Sequence, residues 1–473
     1  MNKLIYKIIL LATLIFSLAS CKKFLEKEPI GRIGKQVLFE DVNGAQLGLV
    51  GAYRLVLDYH RNEFGMHGDV ASDNMVYTPT SLPQFMTQSF NFSSTPEDDA
   101  LVTGHIWLSI FEALNNINNV LNALPALKEK FPNQLSQIET IEGQALVLRA
   151  LCHLDLSKVY AQPYNFTADA SHLGVPVLTK TPSPGESIVR RTMKQTYDQI
   201  ILDLSNALPL LNKYNNFTNQ ALVNYQAALG LLSRVYLYKG DWQNCLNTSN
   251  SVIADTRYKL ATATEYNSLF SVYTPNANTS SIKSEILFQL SGISLEKVSN
   301  TELISMFLTQ YGASLKLLNT FDADDVRKLN FYTGGKNAYT SKYTPGGYTI
   351  KVIRLSELYL NRAEANWNLK NYDEAKEDLR IISQRAHPNR IINIGNPSAD
   401  DLYKLIADER NRELCFEGHR LYDIVRRKEN LVRGVDCNST VCTLTYPNDK
   451  FVLPITTKEL DANKGMKQNP GYN

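Results

Sequence analysis

Glu409-Arg410-Asn411-Arg412-Glu413-Leu414-Cys415-Phe416-Glu417-Gly418-His419-Arg420-Leu421-Tyr422-Asp423-Ile424-Val425-Arg426 is the stretch on which the architecture turns. Glu409, Glu413 and Glu417 recur every four residues, which is one face of a helix, and Arg410, Arg412 and Arg420 stand beside them. Opposite charges three and four apart on a helix are ordinary surface pairs, so this pattern reads as a structural ion-pair lattice and not as an acid–base couple. Gly418 is placed to end the helix in the left-handed conformation that glycine adopts without strain. That turn leaves Glu413, Glu417, Arg420 and Asp423 to form one partly buried charge network that fixes the element after it. The stretch therefore predicts a helical architecture and assigns these residues to structure.

Working outward, most of the chain carries the same period. Ile106, Ile110, Ala113, Leu114, Ile117, Val120, Leu121 and Leu124 recur at three and four, the stripe of an amphipathic helix that Pro125 would close. Ile141, Ala145, Leu148, Leu151, Cys152 and Leu156 repeat the signal over 138–160. Pro163, Pro176, Pro182 and Pro184, with Gly174 and Gly185, then mark a loop before Thr192. Two segments read as helix-turn-helix pairs, one from Ala227 through Lys239-Gly240-Asp241-Trp242 to Asp255, the other from Leu358 through Asn371-Tyr372 to Ala386. Small residues at close-approach positions and an aromatic just after each turn are similar to tetratricopeptide repeats, although the spacing between the pairs is too irregular for a pure solenoid. Strand-like runs are few: Glu285 to Leu290, and Phe451-Val452-Leu453.

Two stretches break the period. Residues 60–105 carry Phe64, Tyr77, Phe85, Phe90 and Phe92 among Gly, Pro, Ser and Asn; residues 291–350 carry Tyr311, Phe331, Tyr332, Tyr339, Tyr343 and Tyr348 with Gly334-Gly335 and Gly346-Gly347. Segments that long without regular structure are functional loops or disorder, and their aromatic content argues against disorder. Sugar rings stack their C–H faces on aromatic side chains, while Asn, Asp and Arg bond the hydroxyls. Asp73, Asn74, Tyr77, Phe85 and Phe90 from the first stretch and Tyr311, Tyr339 and Tyr343 from the second are therefore the candidate ligand-binding residues. The two stretches are expected to meet on one face as a shallow aromatic platform.

The N-terminus has its own signature. Lys3 and Lys7 precede an apolar run from Ile8 to Leu18, too short to span a bilayer, and Leu18-Ala19-Ser20-Cys21 follows. Residues 1–20 thus read as a lipoprotein signal peptide, with Cys21 the lipidated first residue of a single domain covering 21–473. The chain holds 49 Lys+Arg against 47 Asp+Glu, and losing residues 1–20 removes Lys3 and Lys7 and no acid, leaving 47 against 47. A neutral surface carries no footprint for nucleic acid. Cys152, Cys245 and Cys415 sit in helical apolar contexts and read as small hydrophobes. Cys437 and Cys442, five apart in a loop, permit a disulfide in an exported chain and equally a free pair; a metal site there lacks the His or further Cys that zinc wants.

Catalytic signals are poor. There is no HExxH, Gly-x-Ser-x-Gly or Walker loop. Asp322-Ala323-Asp324-Asp325 resembles part of a calcium loop but lacks its glycine and its terminal Glu, and His105 and His153 read as packed residues in apolar helices. No metal, cofactor or catalytic residue is expected.

With these residues on the page, the chain resembles the SusD/RagB family of outer-membrane nutrient-binding lipoproteins. The 409–426 stretch looks like that family's Glu-Arg-x-x-Glu-Leu-x-Phe-Glu-Gly-x-Arg-x-x-Asp signature. Arg354 to Ala365, Trp107 to Leu121, Arg149-Ala150 with Tyr160, Asp325-Val326-Arg327, and the ending Leu453-Pro454-Ile455, Glu459, Asn463 and Gln468-Asn469-Pro470-Gly471-Tyr472 match as well. The resemblance implies a mainly α fold, tetratricopeptide-like helix pairs with a loop-rich face and few short strands. It also implies a lipid-anchored outer-membrane protein facing the cell exterior, which captures an oligosaccharide and delivers it to a SusC-like TonB-dependent transporter. The competing readings are a transporter lid for a non-glycan nutrient such as a peptide, and a surface glycosidase, which would need two carboxylates facing each other across the site.

Overall fold

The helix pairs foreseen from the apolar period are present in a computed structural model, which describes residues 34–78, 85–98, 102–214, 219–270, 285–291, 307, 309–334, 337–343 and 349–472. The signal segment, Cys21 and, in the second aromatic stretch, residues 292–306, 308, 335–336 and 344–348, including Tyr348, lie outside the described residues. The principal helices are α1 (Val42–Arg61), α2 (Glu63–Val70), α3 (Val102–Lys130), α4 (Leu135–Tyr160), α5 (Met193–Lys213), α6 (Tyr225–Lys239), α7 (Trp242–Ile253), α8 (Leu355–Asn368), α9 (Tyr372–Ala386), α10 (Ala399–Leu414) and α11 (Arg420–Arg426). From α3 to α9 each helix packs on the next, so the two predicted pairs, α6/α7 and α8/α9, stack directly even though they are far apart in sequence.

Local chemistry starts these helices where the sequence permits. Asp41, Asn224, Asp241 and Ser398 each accept a backbone N–H at a helix N-terminus, and Thr192 with Gln195 forms a reciprocal capping box at the start of α5. α4 is the most buried of the long helices. Ile138, Ile141, Ala145, Leu148, Leu151, Cys152 and Leu156 are wholly buried between α3 and α5. Pro125 does not close α3, which runs five residues further. The proline lies on the exposed face, where water can serve the carbonyl it frees, and buried Leu124 and Leu127 hold the helix on either side.

Strands are short. β1 (Met75–Tyr77), β5 (Tyr311–Ala313), β7 (Asn337–Thr340) and β6 (Phe331–Gly334) form a four-stranded sheet in the order β1-β5-β7-β6. Three two-stranded ladders join β2 (Leu173–Pro176) to β3 (Arg190–Thr192), β4 (Ile286–Ser291) to β8 (Thr349–Arg354), and β9 (Leu431–Val432) to β10 (Thr443–Leu444). The run 451–453 makes no strand; Asp449–Phe451 is a 3-10 turn. Nor is 60–105 free of helix, since α2 crosses it and Thr87–Asn91 adds a short turn. α2 has no clean stripe because it is buried almost all round.

The signature stretch is organised differently from the sequence expectation. α10 ends at Leu414, not at Gly418, so Glu417 is not on the helix face of Glu409 and Glu413. Phe416 and Gly418 both take left-handed backbone conformations, φ 64° and 77°, and the Asp69 carboxylate accepts their N–H groups at 3.1 and 2.6 Å. Burial pushes the Asp69 carboxyl up to about 7, against the pull of those two donors. Gly68 packs on this turn so closely that a Cβ there would lie 2.4 Å from the Gly418 carbonyl oxygen.

The expected single network is three. Glu413 receives Arg327, Arg354 and Arg385, while Glu417 receives Lys342 and Arg354. Asp423 joins Arg410 to Arg426, which also holds Glu364. Arg420 leaves both groups and pairs with Asp73 at 2.7 Å. The Glu413–Glu417 and Asp423 groups are closed to solvent, with Arg327, Arg354 and Arg410 among the largest fully buried side chains, whereas the Arg420–Asp73 group is partly buried as expected.

Candidate ligand-binding face

The sheet β1-β5-β7-β6 brings the two aromatic stretches together. Met75 to Tyr77 run antiparallel to Ala313 to Tyr311, and β7 and β6 extend the second stretch as a hairpin in which Tyr332 opposes Tyr339. The free edge of β1 is covered by the loop between β9 and β10. Cys437 and Cys442 form a disulfide across that loop, and Asn438 between them takes the place of a strand: its Oδ1 accepts the Tyr77 N–H at 3.0 Å and its Nδ2 donates to the Tyr77 carbonyl at 2.5 Å. Ser439 donates to the Phe90 carbonyl at 3.0 Å, and Asn91 Oδ1 accepts from Thr440 N–H, also at 3.0 Å.

Of the predicted residues, Tyr77, Tyr311 and Tyr339 lie on strands of this sheet and the other five lie outside them. Asp73 and Asn74 lie beneath it: Asp73 is buried with Arg420 and Lys316, and Asn74 exchanges amide hydrogen bonds of 2.9 and 3.1 Å with Asn411. Burial would raise the Asp73 carboxyl, but Arg420 and Lys316 outweigh it and hold it down at about 2. Tyr311 is fully buried and donates to the Phe85 carbonyl at 2.8 Å. Phe90 is buried against Tyr311 and under the Arg433 guanidinium, 4.3 Å from the ring centre. Tyr343 is buried and donates to the Phe416 carbonyl at 2.6 Å. Tyr77 and Phe85 are half-buried, and Tyr77 meets Tyr311 edge-on at 5.6 Å. Tyr339 is 7% exposed and lies 5.8 Å beneath Tyr332, which is 40% exposed.

Tyr332 is thus the exposed ring and Tyr77 and Phe85 are partly so, but they do not form one platform: the register puts Tyr77 with Tyr311, Ala338 and Phe331 on one side of the sheet and Tyr332 with Tyr339 on the other. Tyr332 is a surface residue that the candidate set omits. Its alternation with Phe331, which packs inward on Phe321 and Phe416, was the signal that could have separated the two. Arg433 and Asn438 are also absent from that set; both owe their position to a loop that no periodicity places. Burial lowers the Arg433 guanidinium to about 10, and it donates to the Ser72 and Val441 carbonyls.

Asp73 is committed to two cations, and Asp436 accepts the Leu315 N–H at 2.6 Å. His153 is buried and accepts the Leu178 N–H, whereas His105, expected to be packed, is half-exposed and paired with Glu63. Among the described residues, no helix is long and apolar enough to cross a membrane.

A stack of helix pairs carrying a short-stranded aromatic face defines a helical-repeat binding protein. The family models agree: residues 326–472 match the SusD family, and residues 23–237 match a family described as starch-binding and associating with the outer membrane. The chain belongs to the SusD/RagB family, whose members are sugar-binding proteins associated with the outer membrane. Along the whole sequence it is 22% identical to a SusD-like protein of Formosa agariphila, with 96% of each chain covered. In structure it is similar to a SusD superfamily protein of Bacteroides thetaiotaomicron, with TM-score 0.82, 25% identity and coverage of 91% of this chain and 100% of that one. A SusD-like carbohydrate-binding protein of Bacteroides vulgatus shares the fold at TM-score 0.72 and 20% identity, with coverage of 90% of this chain and 97% of that one.

Proposed function

We propose that the protein is an outer-membrane lipoprotein, anchored through Cys21 on the cell exterior, that binds an oligosaccharide on the β1-β5-β7-β6 face and passes it to a SusC-like TonB-dependent transporter. The observation that carries this reading is the joining of the two aromatic stretches in one sheet, which leaves Tyr332 exposed beside Tyr339 on one side and Tyr77 half-buried on the other. A half-exposed ring held by its neighbour presents a fixed apolar surface to a pyranose. The family description and the carbohydrate-binding neighbour support a sugar as ligand.

Binding to a panel of plant and algal glycans by affinity electrophoresis tests the site. Wild-type protein should be retarded by at least one glycan, and Tyr77→Ala/Tyr332→Ala should run as in a glycan-free gel with its melting temperature nearly unchanged. Normal retardation of the double variant would move the site elsewhere. For the anchor, Cys21→Ser expressed without the transporter should leave the outer-membrane fraction; its retention there would remove the lipid from the account.

A further inference from the structure

A second crevice, on the helical scaffold rather than on the sheet, has the makings of a site. It encloses about 220 Å³ where the α6–α7 turn meets α8, α10 and the end of α11. At roughly 30 Å³ per water this is room for about seven waters, or one pyranose ring. Trp242, Trp367 and Tyr403 line it, with Asn368 beside them. Each ring is fixed from behind. Trp242 is the first residue of α7, set there by the left-handed turn at Gly240, and Trp367 donates its indole N–H to the Ala399 carbonyl at 2.7 Å and lies 4.7 Å from Tyr403.

Two polar groups in the lining have no partner within the protein. The Arg427 side chain is 2% exposed; one of its nitrogens donates to Glu364 at 2.6 Å, but its Nε and Nη1 hydrogens meet no acceptor. The buried Tyr238 hydroxyl is likewise unmatched. A buried donor left unsatisfied costs stability, and more so on a charged group. The charge is also shared. Glu364 serves both Arg426 and Arg427, and Asp423 pairs directly with Arg426 while acting on Arg427 only from further off.

We propose that this crevice binds an acidic sugar unit, a pyranose bearing a carboxylate, with its ring against Trp242, Trp367 and Tyr403 and its carboxylate on Arg427. A carboxylate supplies the missing acceptors and a further negative charge, and the aromatic walls take the C–H face of the ring. The site lies apart from the sheet face, so it stands or falls independently of the proposed function.

Two of the chain's three tryptophans line the crevice, so indole fluorescence reads its occupancy. Methyl β-glucuronide should change the emission saturably in Trp107→Phe, and methyl β-glucoside should bind about tenfold more weakly, the loss of a charged hydrogen-bond pair. Arg427→Gln should abolish that preference, and Trp242→Leu should weaken both sugars; melting curves confirm that each variant is folded. Tyr77→Ala/Tyr332→Ala should leave the response intact. Equal binding of the two sugars, no saturable response to the glucuronide, or a glucuronide response that survives both Arg427→Gln and Trp242→Leu would overturn the proposal.

Discussion

Helix α4 is buried along most of its length and helix α10 along one face, and apolar side chains dominate the first buried surface where ionic ones dominate the C-terminal part of the second. α4 presents Leu148, Leu151 and Leu156 to its neighbours and gains from the removal of apolar surface from water, about 25 cal/mol per Å². α10 presents Glu409, Arg410 and Glu413, each at most 1% exposed, and depends on partners carried by four other segments. The difference lies in what each helix tolerates. An apolar face loses one contact at a time, whereas a buried charge that loses its partner faces the full cost of desolvation.

The sharpest break of that contrast is Glu413→Ala, which leaves Arg327, Arg354 and Arg385 each short of one carboxylate. It should cost about 3 to 5 kcal/mol in urea unfolding, and 1 M salt should not relieve the loss because the pairs are closed to solvent. Leu148→Ala in α4 should cost about 3 kcal/mol through its cavity. If 1 M salt restored the stability of Glu413→Ala, or if that variant cost less than Leu148→Ala, the division drawn between the helices would fail.

Acid provides a gentler probe. Asp73 has an ordinary carboxyl pKa near 3.8 when unfolded and about 2 when folded, so it binds fewer protons in the native state across that window. Its contribution, about 2 kcal/mol, is complete above pH 4 and is lost as the pH falls towards 2. Arg420→Ala should lower stability at neutral pH and flatten this acid limb, with glycan binding by the remaining folded protein unchanged; a variant that melts like wild type but no longer binds would make Arg420 a ligand contact. At the other extreme, Lys194→Ala, which breaks an exposed pair with Asp198 at 2.7 Å, should leave the melting temperature unaltered within error.

The same contrast explains what could be read from the sequence. The apolar period located α3, α4, the two hairpins and the stacking of small residues between them, because helix packing writes itself at three and four. The ionic partners could not be read, since Arg327, Arg354 and Arg385 reach Glu413 from 86, 59 and 28 residues away and no local rule pairs them. The end of α10 was misplaced for a related reason: it is set by Asp69, from the other half of the chain. The two aromatic stretches do meet in one sheet, but which rings look outward was not read. In strands of three and four residues an alternation such as Phe331–Tyr332 has a direction only once the register is known, so buried Tyr311 and exposed Tyr332 looked alike.

Asp69 closing the turn at Phe416 and Gly418 also has a meaning in time. The two ends of this contact are 347 and 349 residues apart, and Asp73 with Arg420 spans 347 more. Contacts between such distant points form late, because the chain entropy lost in closing the loop must be met before they reward it. Until residues 409–426 have arrived, the Asp69 and Asp73 carboxyls lack the groups that close over them, whereas the N-terminal helices already have one another. The α2 region of such a chain is therefore completed last, whatever order the helix stack follows.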